Sequence, residues 1–176
     1  MVSISDQIKS PYAEALLSAH QFQGQSNDCA AYCIAMASNA IRGSQLDGYQ
    51  VGQEMNGWVR RGLTPMLRRI PNWAATPWGI VDEFRKQGFT SRWSLFRRRE
   101  ELFGMLEQGF IIMPVIGQWK PLWAHVMLLV EYQPGGKWGF VNPASKQKAV
   151  YWLKDDVFIK QWRWSYNMLV EAQPAI

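Results

Sequence analysis

The sequence contains few of the side chains that metal binding and polar catalysis use most often. Its 176 residues include only 2 histidines and 2 cysteines. No grouping of His, Cys, Asp and Glu has the spacing of a metal site, and neither a glycine-rich phosphate loop nor a pair of catalytic carboxylates is present. The sequence therefore predicts neither a metal nor a cofactor, and it limits nucleophilic catalysis to very few side chains.

Long apolar stretches are missing as well. The longest, residues 110–117 and 123–130, are separated by a segment that contains Gln118 and Lys120. Neither approaches the roughly 20 residues that a membrane span requires. Residues 1–9 have neither the basic leader nor the apolar stretch of a secretion signal. We expect a protein without a membrane span that remains in the cytoplasm, with export by another route left open.

The composition indicates one folded domain. Hydrophobic residues make up 48% of the chain and charged residues 19%, which excludes a largely disordered protein. A chain of 176 residues can bury one sizeable core, and no repeat, low-complexity tract or linker divides it. We predict a single domain over residues 1–176, and the sequence leaves its oligomeric state open.

The positive charge is modest and clustered. The net charge is +5, and arginines group at residues 60–61, 68–69 and 97–99. Such clusters attract nucleic acid, anionic lipid or acidic peptide, but solvated helix ends have the same composition. We favour the solvated helix ends and do not predict a nucleic-acid partner.

Cys29 lies six positions after Gln23, in the segment QGQSNDCA. A thiol that attacks a carbonyl needs a donor for the oxyanion that forms, and a glutamine amide one short loop upstream can supply it. Asn27 or Asp28 can cap a helix predicted over residues 28–41, which puts Cys29 in a first turn that favours thiolate. The negative charge of Asp28 opposes this effect. Cys29 is the candidate nucleophile.

Two further residues complete a candidate triad. His20 lies in a polar segment, whereas His125 begins an apolar, β-prone run and is the better candidate base. A second strand, predicted over residues 137–142, follows the turn-forming residues 133–136. The resulting hairpin brings Asn142 back to His125, where its side chain can fix the imidazole tautomer. Cys33, four residues after the candidate nucleophile, is interpreted as core.

The order of Gln23, Cys29, His125 and Asn142 resembles that of the papain-like cysteine peptidases. Within them it is most similar to the compact double-glycine leader peptidases, which process bacteriocins and cut after paired glycines, and to their free-standing relatives. The resemblance covers residues 20–172. The chain departs from the plant and lysosomal enzymes in lacking their CGSCW segment, and from many compact relatives in having Asn142 where they have Asp.

The resemblance implies a bacterial thiol peptidase that acts on a peptide or protein substrate. Cys29 is then the nucleophile, His125 the general base and Asn142 the residue that orients the imidazole. Gln23 is implied as the side-chain donor of the oxyanion hole. The implied fold is papain-like, with the helix that carries the thiol packed on a sheet that carries His125 and Asn142.

The predicted order of elements agrees with an α+β fold of this kind. Helices are predicted over residues 10–19, 28–41 and 76–88, at looser helical spacing over 45–60 and 63–70, and again over 99–108 and 154–162. Strands are predicted over residues 89–95 at a sheet edge and over 110–117, 123–132, 137–142, 148–152 and 166–172. A cleft between the helical layer and the antiparallel sheet would hold the substrate.

Several other functions use the same apparatus. Deamidases, acyltransferases and transpeptidases differ only in the second nucleophile. A cell-wall amidase also has an Asp-Cys pair and a His-Val strand start, but Gln23 and the Asn142-Pro143 pair argue against it. A binding domain that has the fold without the activity is the remaining alternative.

Overall fold

A computed structural model describes residues 7–61, 63–70 and 73–175. The helices are α1 (Ala13–Ser18), α2 (Cys29–Arg42), α3 (Gly48–Glu54), α4 (Pro77–Lys86), α5 (Arg99–Glu107) and α6 (Asp155–Arg163). The strands are β1 (Ile8–Lys9), β2 (Gly57–Arg61), β3 (Thr64–Ile70), β4 (Ala74–Ala75), β5 (Phe89–Ser94), β6 (Ile111–Trp119), β7 (Leu122–Val126), β8 (Leu128–Gln133), β9 (Lys137–Val141), β10 (Tyr151–Lys154) and β11 (Leu169–Pro174).

The large sheet is antiparallel and has the order β10-β9-β8-β6-β11-β5, with β1 added to β8 and β7 added to β6. Helices cover both of its faces. One core cluster contains apolar residues of α1, α2 and α4, and the other contains those of α5 and α6. The predicted α+β fold is confirmed, and β5 lies at the sheet edge as expected.

Helices α2 and α4 form where the sequence predicted them. Buried alanines on α2 let it pack closely on the sheet, and it ends at Gly43, whose φ of 67° suits a left-handed C-terminal residue. In α4 the Thr76 side chain accepts a hydrogen bond from the Gly79 N–H, and Pro77 occupies the first turn.

The predicted helical character of residues 55–60 and 63–70 is wrong. Helix α3 ends at Glu54, and a small antiparallel sheet, β2-β3-β4, follows it. Gly57 has a φ of 138°, which a helix does not allow, and Pro65 has no N–H to continue a helical ladder. Trp58 and Val59 then pair across to Leu67 and Met66 as β-prone residues do.

The strand predicted over residues 123–132 is interrupted. Strand β7 pairs with β6 through Val126, and β8 begins at Leu128 and pairs with β9. The three consecutive side chains of Val126, Met127 and Leu128 are all buried because they alternate between the two core clusters, one on each face of the sheet. Within the described ranges, no helix is both long enough and apolar enough to cross a bilayer.

Candidate active site

Cys29 is the first residue of α2, in the turn where the sequence predicted it. Its thiol is partly buried and lies next to β7. Burial raises the pKa of the Cys29 thiol, and hydrogen bonds from the backbone N–H groups of Val126, Ala30 and Cys29 itself partly offset that rise. Cys33, one helical turn further on, is fully buried and packs in the core, as its interpretation required.

The hairpin of β8 and β9 places Asn142 beside His125. Leu128 pairs with Val141, and the turn between the strands uses Gly135 and Gly136 at φ values of 86° and 79°. The His125 Nε2 atom lies 2.9 Å from the Asn142 Oδ1 atom. The proximity predicted from the turn-forming residues is therefore present.

The geometry also fixes which imidazole nitrogen carries the proton. The Asn142 Oδ1 atom accepts a hydrogen bond of 2.9 Å from the backbone N–H of Ala144, so the amide oxygen, not its nitrogen, faces His125. An acceptor at that position requires an N–H at Nε2, which leaves the lone pair on Nδ1. Burial lowers the pKa of His125, and the hydrogen bond to Asn142 partly opposes that change. The imidazole is therefore neutral near pH 7.

His20, the other histidine, contacts the main chain near Asn142. Its Nε2 atom lies 3.1 Å from the Asn142 backbone oxygen. The Gln23 N–H donates to the Pro143 oxygen at 2.8 Å, so the loop that precedes α2 lies against the segment after β9. His20 thus contacts the candidate triad from the side of this loop.

Gln23 is held within its own loop. Its Nε2 donates to the Ser26 carbonyl at 2.7 Å, and the Ser26 hydroxyl donates back to the Gln23 carbonyl at 2.9 Å. The Gln23 side chain is not among the residues that line the cavity around Cys29. An amide nitrogen carries two hydrogens, so the bond to Ser26 leaves one further donor. Cys29 and His125 line the same cavity and Asn142 is hydrogen-bonded to His125, whereas the Gln23 side chain is hydrogen-bonded to Ser26.

Asn27 or Asp28 was predicted to cap α2; Asp28 occupies the N-cap position, but the alternative of capping by its side chain is wrong. Asp28 makes no side-chain cap hydrogen bond and instead forms an ion pair with Arg69, a residue of β3. The two side chains are only 4% and 3% exposed. Arg69 also donates to the Gly52 carbonyl at 3.0 Å and to the Asn56 side-chain oxygen at 2.8 Å. The buried Arg69 guanidinium therefore neutralises the Asp28 carboxylate beside the thiol. No local sequence pattern indicated that these two residues would pair.

A cavity of about 340 Å³ opens beside the thiol and the imidazole. Its walls come from the small sheet and α4, from β6 and from the segment that follows α6. The larger side chains that line it are Trp73, Pro77, Ile80, Val115, Trp119, Trp164, Tyr166 and Met168. The sequence pointed to an aromatic-rich chain, but it did not show which rings pack in the core and which line the site.

No protein-family profile and no curated protein sequence matches the chain. Solved structures do match. A Bacillus anthracis protein assigned as a C39-like peptidase superposes with a TM-score of 0.70 at 10% identity, over 96% of this chain and 98% of that one. A double glycine motif protease from an AMS/PCAT transporter, solved in complex with the leader peptide, gives a TM-score of 0.58 at 14% identity, over 89% and 91%. The chain has the fold of the C39-like, papain-like peptidases.

Proposed function

We propose that the protein is a papain-like cysteine peptidase, one domain over residues 1–176, that hydrolyses a peptide bond in a peptide or protein substrate. Cys29 is the nucleophile, His125 the general base and Asn142 the residue that orients the imidazole. The observation that carries the proposal is the His125–Asn142 hydrogen bond beside a cavity that Cys29 also lines. The fold shared with C39-like peptidases supports it.

The resting site holds a neutral thiol and a neutral imidazole, because burial raises the pKa of Cys29 and lowers the pKa of His125. In the first step the His125 Nδ1 atom accepts the thiol proton while the sulfur attacks the substrate carbonyl carbon. The Asn142 side chain supports the imidazolium that forms, since its oxygen accepts from Nε2 in both protonation states.

The oxyanion forms at the N-terminus of α2. The Cys29 backbone N–H and the remaining N–H of the Gln23 amide are the proposed donors. The helix dipole favours negative charge at the same place. We expect a small movement of the Gln23 side chain when substrate binds, because its amide donates to Ser26 in the absence of substrate.

The imidazolium then protonates the leaving amine, the carbon–nitrogen bond breaks, and an acyl-thioester remains on Cys29. His125 takes a proton from water, the resulting hydroxide equivalent attacks the thioester, and the carboxylic product leaves with the thiol restored. Transfer of the acyl group to another nucleophile would make the protein an acyltransferase, and attack on a side-chain amide would make it a deamidase. The partner of His125 is Asn142, 17 residues downstream, which supports the peptidase over a cell-wall amidase.

A mixed peptide library, analysed by mass spectrometry, tests the proposal. The wild-type protein is expected to release pairs of fragments whose masses sum to the peptide plus one water, and Cys29→Ala is expected to release none. Cys33→Ala is the matched control, because it removes the buried thiol of the same helix and should retain cleavage. A product in which the acyl half of one peptide is joined to another amine would indicate acyl transfer, and turnover by Cys29→Ala would overturn the proposal.

A further inference from the structure

The cavity beside Cys29 is large compared with what a glycine would fill. Its volume of about 340 Å³ lies within the range of roughly 300–1,000 Å³ typical of ligand pockets. Cys29 and His125 line it together with Val126, so whatever enters it lies next to the reacting atoms. A pair of glycines at the bond to be cut would leave this space unoccupied.

The lining contains no Asp, Glu, Lys or Arg among the described residues. The single hydrogen of the Ser165 hydroxyl, one of its few polar groups, is already used within the protein, where the hydroxyl oxygen lies 2.6 Å from the Val115 carbonyl and 2.9 Å from the Trp162 carbonyl. A charged substrate side chain would lose its water and find no partner of opposite charge. An apolar side chain would lose nothing and would bury apolar surface.

The cavity wall is closely packed on the side of Trp164. The Trp119 and Trp164 rings lie 5.4 Å apart between centroids, at an interplanar angle of 60°. A Cβ atom at Gly117 would lie 2.5 Å from the Trp164 ring and 2.5 Å from the Trp123 carbonyl oxygen, so the indole packs directly on the glycine. The Trp164 ring is therefore held against β6 and bounds the space on this side.

The mouth of the cavity carries exposed aromatic rings. Trp119 is 67% exposed, Tyr166 is 64% exposed and Trp73 is 57% exposed. All three line the cavity beside the thiol. Exposed rings around an apolar opening are typical of a surface that binds an apolar partner, and a peptide across the opening would cover them.

We infer that the protein selects substrates with a large apolar side chain, aromatic or long aliphatic, at a residue next to the bond that is cut. This inference rests on the proposed function and names the substrate class of the same site. It sets the chain apart from peptidases that cut after paired glycines, because here the space beside the thiol demands a side chain.

Matched peptides measure the preference. In one host sequence, the residue just before the cleaved bond is varied among Phe, Leu, Gly and Asp, and in a second set the residue just after it is varied in the same way. The value of kcat/KM is determined for each peptide. At one of these two positions, kcat/KM for the Phe and Leu peptides is expected to exceed that for the Gly peptide by about 10–200-fold, the range that filling an apolar pocket gives. Asp is expected to be the poorest there. Equal rates for Phe and Gly at every position, or a preference for Gly, would overturn the inference.

A pocket-filling variant locates the preference. Ala74 lies on β4 and lines the cavity without belonging to the core, so Ala74→Trp fills space that the substrate would use. This variant is expected to lose most of the advantage of Phe over Gly. Ala149→Trp, at an exposed position outside the cavity, is the control and should keep it. Retention of the preference by Ala74→Trp would contradict the assignment to this cavity.

Binding to Cys29→Ala separates the two proposals. Calorimetry with the Phe and Gly peptides is expected to show tighter binding of Phe, abolished by adding Ala74→Trp. If no peptide is cleaved but this preference is present, the proposed hydrolysis fails and the inferred specificity stands. If cleavage occurs without any apolar preference, the proposed hydrolysis stands and the inferred specificity fails. Neither cleavage nor selective binding would overturn both.

Discussion

Two regions meet at Cys29 and differ in how they are held. The hairpin of β8 and β9 is buried in the large sheet and returns Asn142 to His125, which is itself held by the pairing of β7 with β6. The small sheet β2-β3-β4 lies outside that core, with Trp58 70% exposed, and reaches the thiol helix through the buried Asp28–Arg69 pair. The catalytic pair is thus set by packed residues of the large sheet, whereas the small sheet is tied to its neighbours by polar contacts: Arg69 pairs with Asp28 of the segment before α2, and Arg68 pairs with Glu83 of α4.

The two regions should therefore respond differently to loss of the Asp28–Arg69 ion pair. Arg69 pairs across the small sheet with Ala75, and Ala75 lines the cavity. Loss of the ion pair should therefore disturb the cavity wall and the N-terminus of α2 together. The hairpin should be insensitive to the same change, because it has no residue in the small sheet.

The largest effect is expected at His125, which lies on β7 just before the hairpin. His125→Ala removes the proposed base, and kcat/KM should fall by about 10⁴-fold, the upper end for general acid–base catalysis. The thermal unfolding midpoint should change little, since the imidazole is only partly buried. Steady-state kinetics and calorimetry on the same preparation check both. Substantial activity in this variant would remove His125 from the mechanism.

The next largest effect is expected in the small sheet. Arg69→Met leaves the Asp28 carboxylate buried without its partner, and the free energy of unfolding should fall by about 3–5 kcal/mol. Denaturant titration measures it. The double variant Asp28→Asn with Arg69→Met removes both charges and should recover most of the loss. A double variant as unstable as the single one would mean that packing, not charge, links the two regions.

The pH dependence of kcat/KM should show a broad plateau. His125 acts as base only when neutral, and burial holds its pKa below the ordinary value, so the acid limb should lie below about pH 6.5. Burial holds the pKa of Cys29 above its ordinary value, so the alkaline limb should lie above about pH 8.5. A rate profile across this range checks both limbs.

Two substitutions at Asn142 test how its side chain sets the pKa of His125 and so the acid limb of the profile. The Asn142 hydrogen bond raises the pKa of His125, so Asn142→Ala should move the acid limb to still lower pH. Asn142→Asp places a negative charge at Nε2 and should move it to higher pH. Shifts of the same sign in both variants would contradict the assigned role of the Asn142 oxygen.

The smallest effect is expected on the outer face of the small sheet. Trp58→Ser changes an exposed residue that does not line the cavity at Cys29, and stability should remain within about 0.5 kcal/mol of wild type. Denaturant titration beside Arg69→Met provides the contrast. A large loss would show that the small sheet depends on more than the buried arginine.

The sequence allowed prediction of the parts of the fold that local patterns encode. Turn-forming residues before β9 indicated the hairpin and so the approach of Asn142 to His125, and Thr76 with Pro77 indicated the start of α4. The α+β fold and its resemblance to the compact papain-like peptidases are confirmed by the superpositions. The catalytic roles, the single domain and the cytoplasmic location stay predictions.

The features of the fold and site that the sequence did not predict depend on contacts between residues far apart in the chain. Asp28 looked like a helix cap, but its partner Arg69 lies 41 residues away and competes successfully for the carboxylate. The apolar spacing over residues 45–60 and 63–70 resembled helices, but only Gly48–Glu54 is helical, and the strands β2 and β3 follow at Gly57 and around Pro65. The rings of Trp73 and Trp164 meet at the cavity only through the fold. No local pattern distinguishes such residues from core aromatics.

Detection of the acyl-thioester on Cys29 tests whether this thiol is the nucleophile. A cleavable peptide is mixed with the wild-type protein, quenched in acid within the first turnover, and the intact protein is weighed. The mass of the protein should increase by that of the acyl half of the peptide, with the adduct on Cys29 and absent from Cys29→Ala. Peptide cleavage that proceeds with no adduct on Cys29, and equally well in Cys29→Ala, would contradict this role of the thiol.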